Sequence, residues 1–260
     1  MSKISNLAII EDGATIGENV EIGPYCFVSK DAVIGEGTII EQGSCIYGKT
    51  TIGKNNHIFS HAVLGSVPQD LKYAGEEVEL IIGDNNKIRE FTLFNPGTKG
   101  GGGKTIIGNH NLFMGYVHIG HDVIIGNHCI LANAATLAGH VEMGDHAVIG
   151  GMTPIHQFVH IGDFAMIAGA SALAQDIPPY CMAEGNRASL RGLNLTGLRR
   201  HMERSDIDEL KSAYRDLFEA GQPLKDVAGH LLETSSNHHI HNLCNFVIKT
   251  KRGIPYERKI

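Results

Sequence analysis

The 260-residue chain has room for one large domain, or a large domain with a small appendage; its 32 glycines, 6% aromatic content and lack of tryptophan favour a repetitive β architecture over an aromatic-rich core. A net charge of −6 argues against a nucleic-acid partner. Five cysteines, odd in number and never spaced C-x-x-C, read as thiols of a reducing compartment and exclude a disulfide frame or a zinc knuckle.

The N-terminus lacks the basic-then-apolar run of a signal peptide, and no stretch of about 18 apolar residues follows it, so a cytoplasmic protein without a transmembrane segment is expected. From Ile10, every sixth residue is aliphatic: Ile16, Ile22, Val28, Ile34, Ile40, Ile46, Ile52, Ile58 and Leu64. The phase breaks, resumes at Ile82, Ile88 and Phe94, breaks again, and runs on from Ile107 to Leu173. Glycine often follows the aliphatic residue, and a small or β-branched residue usually stands two positions before it, as Val20, Cys26, Thr38 and Ser44 do. Residues two apart share one face of a strand. Each hexad thus turns two side chains inward and then rounds a corner, and three hexads close a coil of 18 residues. The spacing predicts a parallel β-helix whose interior is the aliphatic column.

The two phase breaks, over residues 66–79 and 95–104, must leave the solenoid as loops, often on a binding face. The second holds four consecutive glycines and suits a mobile flap. Beyond Leu173 the period stops at Pro178-Pro179, and helical patterns follow. Ser205 is placed to cap a helix with the apolar stripe Ile207, Leu210, Tyr214 and Leu217. A second helix carries Leu224, Val227, Leu231 and Leu232, and a third apolar run spans Ile240 to Ile248. The expected division is a β-helix domain over residues 1–185 and a helical domain over 186–260, the latter packed on the prism end or on neighbouring subunits.

Chemistry is sought among the fifteen histidines. His121 follows the in-phase Ile119 by two residues, so it sits at a corner outside the column. One coil on is Gly139 and two coils on is Gln157, while His140 lies one coil from Asp122. This column offers a base, a main-chain amide one strand spacing away, and an amide side chain beyond. Acyl transfer to a hydroxyl needs a base for the proton and a donor for the oxyanion. Asp122 would set the imidazole tautomer, a contact that requires corner geometry because strand neighbours point apart. The plainer readings are a solvated His121 and a mere corner glycine at Gly139. Surface histidines are expected at His57, His61, His110, His128 and His146, and on the helical tail at His230, His238, His239 and His241. A zinc site between subunits is the rival chemistry, but no two histidines have the H-x-x-x-x-H spacing that such β-helix enzymes use.

The segments QDLKYAGE at 69–76, HIGHD at 118–122, ILANAATLAGHV at 130–141, GGMTPIHQF at 150–158, QDIPPY at 175–180 and GLNLTGLRR at 192–200 resemble the UDP-N-acetylglucosamine 3-O-acyltransferase family of the lipid A pathway. The resemblance spans nearly the whole chain. It implies a mainly β fold, a left-handed parallel β-helix of hexapeptide repeats followed by a small C-terminal α-helical domain. It also implies a homotrimer with sites between subunits, a 3-hydroxyacyl donor carried on the phosphopantetheine of acyl carrier protein, a UDP-amino-sugar acceptor, and no metal or other cofactor. His121 matches the family's general base, Asp122 its partner and the Gly139 N–H its oxyanion donor. Asp70, Lys72, His118, His140, His156 and Gln157 match contacts to the sugar nucleotide; Asn194 and Arg200 match residues that bind nucleotide or phosphopantetheine. Gly169 matches the position that leaves room for a long acyl chain, and reads equally as a turn glycine. Arg187, Arg191, Arg199, Arg200 and Arg204 form a basic cluster, either a dock for an acidic carrier and phosphates or a solvated helix face.

Two departures stand out. Asn95-Pro96 replaces the family's usual His-Arg, and His201 replaces an arginine of a basic pair. A neutral Asn95 facing the sugar would admit an acceptor with an amine at its 3-position, giving an amide product; this stands as the alternative to O-acylation, with acetyl transfer from coenzyme A behind it. A β-helix that only binds or supports is the non-enzymatic alternative.

Overall fold

Each hexad yields a strand only two residues long, such as Ile39–Ile40 or Ile124–Ile125, with one side chain buried and its neighbour turned out. A strand this short is held only by stacking on its copies. The computed structural model describes residues 2–257, and within them the strands stack in register, Glu21 against Ile39, Ile39 against His57, Ile124 against Glu142. Three sheets of eleven, eight and eight strands form the faces of a prism, parallel throughout except for the closing hairpin of the largest. The fold is the expected left-handed parallel β-helix with a small C-terminal helical part.

The aliphatic column fills the prism, and from Ile22 to Leu173 its members are buried; Ile10 and Ile16, at the open end, are only partly covered. Phe94 and Phe113 meet edge to face there, 4.9 Å between centroids. A second inward column is polar. Asn56, Asn86 and Asn111 run up one inside edge: the Asn56 Oδ1 accepts from the Asn86 N–H (2.9 Å), the Asn86 Oδ1 from the Asn111 N–H (2.9 Å), and the Asn111 Oδ1 from the Cys129 N–H (2.7 Å). Their Nδ2 groups donate to the carbonyls of Gly83, Gly108 and Gly126.

Corners are built differently from the expectation. The left-handed residue is usually not the glycine after the aliphatic position but the residue two further on, as at His110, Asp122, His128 and His140, with φ between 57° and 61°. The glycine answers a different demand: a Cβ on Gly108 would run into the backbone of Gly126 in the next coil. Glycine is there because coils stack closely, and the turn falls to a residue two further on, most often asparagine, histidine or an aromatic residue.

The insertions leave the prism where the phase breaks. Register spacing widens from 18 to 30 residues across the first (His57 against Lys87) and to 25 across the second (Lys87 against Leu112). Strands resume at Glu79 and Lys104. Leu64 pairs with Phe94, and Phe94 with Ile119. Both loops therefore spring from the same corner, two coils and one coil before the one that carries His121.

At the far end the hairpin Cys181–Glu184 and Ser189–Leu193 closes the largest sheet, and the expected division after residue 185 falls in its turn. Four helices follow: α1 (Leu195–Leu198), α2 (Arg204–Phe218), α3 (Leu224–Thr234) and α4 (His238–Lys249). The stripe Ile207, Leu210, Tyr214 and Leu217 is buried. Ser205 is not the cap of α2: the helix begins a residue earlier, after Glu203, and Ser205 lies within its first turn. The tail packs on the prism end, where the Asn242 Nδ2 donates to Asp163 (2.8 Å) and the Thr250 hydroxyl to Asp176 (2.5 Å). Among the described residues no helix is long and apolar enough to cross a membrane.

Phe94 is the last column residue before the second loop. Phe94→Ala is expected to cost about 3–5 kcal/mol, read as a lower denaturant midpoint with an unchanged slope.

Candidate active site

One corner carries Gly120-His121-Asp122, then Ala138-Gly139-His140, then His156-Gln157-Phe158, coil on coil. Asp122 is left-handed, and this bend brings two sequence neighbours to one side: the His121 Nδ1 lies 2.8 Å from the Asp122 Oδ2. The carboxylate accepts, so Nδ1 carries the proton and Nε2 keeps its lone pair. The Asp122 side chain is 1% exposed and that of His121 16%. Asp122 has two more donors, both from the second loop: the Thr98 N–H to Oδ1 (2.9 Å) and the Thr98 hydroxyl to Oδ2 (2.6 Å). The glycine-rich segment expected as a mobile flap is thus tethered by its first residues.

His121 lies directly against the next coil. A Cβ on Gly139 would fall 2.5 Å from the ring Cε1 and 2.6 Å from Nε2. Among the described residues, the Gly139 N–H has no hydrogen-bond partner. The contrast with another corner is sharp: there the N–H groups of Asp84, Asn109, Asn127 and Asp145 are each closed by an Asn or Asp side-chain oxygen from the coil above. The His121 corner has no such side chains and leaves its amide open.

His140 stacks on Phe158 (4.4 Å) and stands at right angles to His121 (5.0 Å), with its Nδ1 4.0 Å from Asp122. Burial pushes its pKa down, against the pull of Asp122. Asp70, Lys72, Thr98, His140 and Phe158 line one cleft of about 990 Å³. His118 lies under the same corner, its Nδ1–H donating to the Leu93 carbonyl (3.2 Å); burial lowers its pKa, the Leu93 bond opposes this, and His121 adds to the lowering.

Other expected residues stand elsewhere. Gln157 and His156 share the corner but are exposed, and His156 opens on a separate cavity of about 670 Å³ with Pro154, Leu173, Arg187 and Tyr256. Asn95 does not face the cleft. It is 1% exposed, and its Nδ2 clasps the first loop through the Ser66 carbonyl (3.1 Å), the Ser66 hydroxyl (3.3 Å) and the Val67 carbonyl (3.1 Å). The case for an amine acceptor drawn from Asn95 therefore lapses. The Asn194 side chain caps α1, accepting from the Gly197 N–H, and donates to the Phe164 carbonyl, so it is placed by structural bonds at a different corner from His121. Arg200 is exposed, and Arg187, Arg191, Arg199 and Arg200 form no ion pair among the described residues. Gly169 sits at the third corner. A Cβ there would meet the Gly151 carbonyl at an ordinary 3.4 Å, and its φ is not left-handed, so this chain's own packing does not require a glycine.

The histidines expected as solvated surface groups are in part stacked: His110, His128, His146 and Phe164 lie at 4.8, 4.8 and 4.6 Å along one corner, because each is that corner's left-handed residue and points along the stack. His239 and His241 are partly covered, bonded to the Tyr180 hydroxyl and the Ser235 carbonyl. Thr98 and Gly101 were not anticipated; the signal was available, since the second insertion leaves the column one coil before Ile119.

His121, Asp122 and His140 are the one group of described residues whose ligand atoms lie together, within 4.8 Å. The carboxylate already accepts three hydrogen bonds, one from His121 and two from Thr98, while His140 stands 4.0 Å off.

His118 is held neutral by burial, below its ordinary value of 6.5. Its contribution to stability is present above that value and lost as pH falls through the depressed one. Thermal stability is expected to drop between pH 7 and 5, and His118→Gln to shallow that dependence in melting curves.

The family described as UDP N-acetylglucosamine O-acyltransferase, domain 2, matches residues 176–255, and the bacterial transferase hexapeptide family matches residues 104–139. The acyl-[acyl-carrier-protein]–UDP-N-acetylglucosamine O-acyltransferases of Sulfurimonas denitrificans and a Sulfurovum species are 83% and 67% identical, over 100% of this chain and 99% and 100% of theirs. Among solved structures, the UDP-N-acetylglucosamine acyltransferase of Campylobacter jejuni superposes with a TM-score of 0.95 at 50% identity, over 98% of this chain and 100% of that one; the Arabidopsis enzyme gives 0.84 at 35%, over 97% and 99%. The chain belongs to the acyl-[acyl-carrier-protein]–UDP-N-acetylglucosamine O-acyltransferase family.

Proposed function

We propose that this enzyme transfers a long 3-hydroxyacyl group from the phosphopantetheine thioester of acyl carrier protein to the 3-hydroxyl of UDP-N-acetylglucosamine, the first step of lipid A synthesis. The observation that carries the mechanism is the His121 Nε2 lying against Gly139, whose N–H has no partner among the described residues. His121 Nε2 takes the proton of the sugar hydroxyl as its oxygen attacks the thioester carbon. The tetrahedral oxyanion is met by the Gly139 N–H. As it collapses the C–S bond breaks, and the imidazolium returns its proton to the leaving thiolate, so acid and base are regenerated. Asp122 stabilises the transient imidazolium and holds the tautomer.

Asp70, Lys72 and His140 contact the sugar nucleotide from the cleft they line, and His118 does so from the strand that leads to His121. Gln157 and His156 extend that corner. Gly169, Asn194 and Arg200 lie at other corners of the same chain, so they reach a His121 only across subunits, and the working unit is a homotrimer. The exposed arginines between 187 and 204 meet the acidic carrier and the substrate phosphates. No metal or other cofactor takes part, the helical region from residue 186 serves docking, and the enzyme works in the cytoplasm.

Mass spectrometry of the product formed from 3-hydroxyacyl carrier and either UDP-N-acetylglucosamine or its 3-amino analogue tests this reading; an ester at the 3-position is expected, and a product from the amino sugar alone overturns it. His121→Ala is expected to lower kcat/KM by about 10²–10⁴-fold with melting unchanged; full retention of activity removes the base. Gly169→Met is expected to fold normally and to shift the preferred donor to shorter acyl chains, read in a competition between donors of different length.

A further inference from the structure

Base and carboxylate sit on one coil, but two of the three donors to that carboxylate come from an inserted loop. We propose that Thr98 is a positioning residue: by seating the second loop on Asp122 it orients the His121 base, so the site is competent only while that loop is down. This rests on the reading of His121 as general base and extends it to a residue whose hydroxyl and main-chain amide are both taken up by Asp122.

The geometry is specific. The Thr98 hydroxyl donates to Oδ2, the same oxygen that accepts from the His121 Nδ1–H, and the Thr98 N–H holds Oδ1. With both oxygens pinned, the carboxylate plane is fixed and the imidazole has one orientation. The loop then turns through the short 3-10 segment Lys99–Gly101, and Gly101 lies so close that a Cβ there would collide with the Asp122 carboxyl group. Gly100, next to it, would meet nothing within 4 Å. Glycine at 101 is thus demanded by contact with Asp122, and glycine at 100 is not.

The second loop is in turn held to the first. The Lys99 N–H donates to Glu76 (3.3 Å), whose other oxygen accepts from the Ala74 N–H (2.8 Å), and the first loop bears Asp70 and Lys72. Sugar contacts and base orientation therefore hang on one connected set of loops. The titratable groups facing this point are His121 and His140 at Asp122, His118 beneath them, and Asp70, Lys72, Glu76 and Lys99 along the loops.

A hydroxyl donor to Oδ2 draws charge from the carboxylate. Losing it leaves more negative charge facing the imidazole, favours the protonated ring, and moves the acid limb of the rate profile to higher pH. The test is a steady-state pH series on the full-length enzyme with four variants, each checked by melting, and with His121→Ala alongside. Thr98→Val is expected to lower kcat about tenfold, with a smaller change in acceptor KM, and to raise the acid limb. Thr98→Ser restores both. Gly101→Ala, which pushes the loop off the carboxylate, follows Thr98→Val, while Gly100→Ala keeps the parental profile. An undiminished kcat in Thr98→Val, a lowered kcat with an unmoved acid limb, or failure of serine to rescue overturns the proposal. If His121→Ala itself stays active, the general-base reading fails instead, so the two failures are distinguishable.

Discussion

Every feature of this molecule depends on the main-chain hydrogen bonds between one coil and the next. They recur wherever a strand meets its copy, as from the Gly120 N–H to the Leu137 carbonyl and from the Ala138 N–H to the Ile155 carbonyl, at 2.8 and 3.1 Å. A two-residue strand has no other means of satisfying its backbone, so the chain accepts the corner conformations and close glycine contacts that keep coils in line. The aliphatic column is the favourable consequence of that alignment: once coils stack, in-phase side chains meet in a dry interior and their burial supplies most of the stabilisation.

The same alignment makes a site possible on a scaffold that has no pocket of its own. Stacking translates chemistry vertically. An imidazole at one corner, a bare main-chain amide in the next coil and a second imidazole beside it are neighbours because their residues differ by about one winding. The bend that bonds His121 to its own neighbour Asp122 exists only at a corner. Loops springing from that corner then wall the crevice, and a smooth prism acquires a front.

What the sequence disclosed followed from this periodicity, and what it hid did not. The column, the coil length, both insertions and the juxtaposition of His121 with Gly139 are statements about phase, and phase is readable. Asn95 was misplaced because nothing in a period says whether the first residue of an insertion turns outward or clasps its own loop; three acceptors on residues 66 and 67 decide that. Thr98 escaped for the same reason, since a loop's return onto the prism is a long-range contact without a repeat. The stacked histidines were hidden because the left-handed conformation aligns corner side chains along the stack, whereas a solvated residue is the ordinary expectation for an outward histidine. The structural bonds of Asn194, which caps a helix and holds Phe164, were hidden for the same reason as those of Thr98.

The interior asparagines have a consequence of their own. Asn56, Asn86 and Asn111 stand in the consecutive coils between which both loops are inserted, where the winding count is disturbed and a hydrophobic column alone would tolerate mispairing, since one isoleucine fits as well as another. Each asparagine recognises the amide of the next and the glycine carbonyl beyond it, so only one alignment satisfies all of them. This polar zipper keeps the coils aligned across both points where a loop is inserted. The loops rest on a rail of fixed gauge, and the distance from base to amide is set by the coils and not by the loops above them.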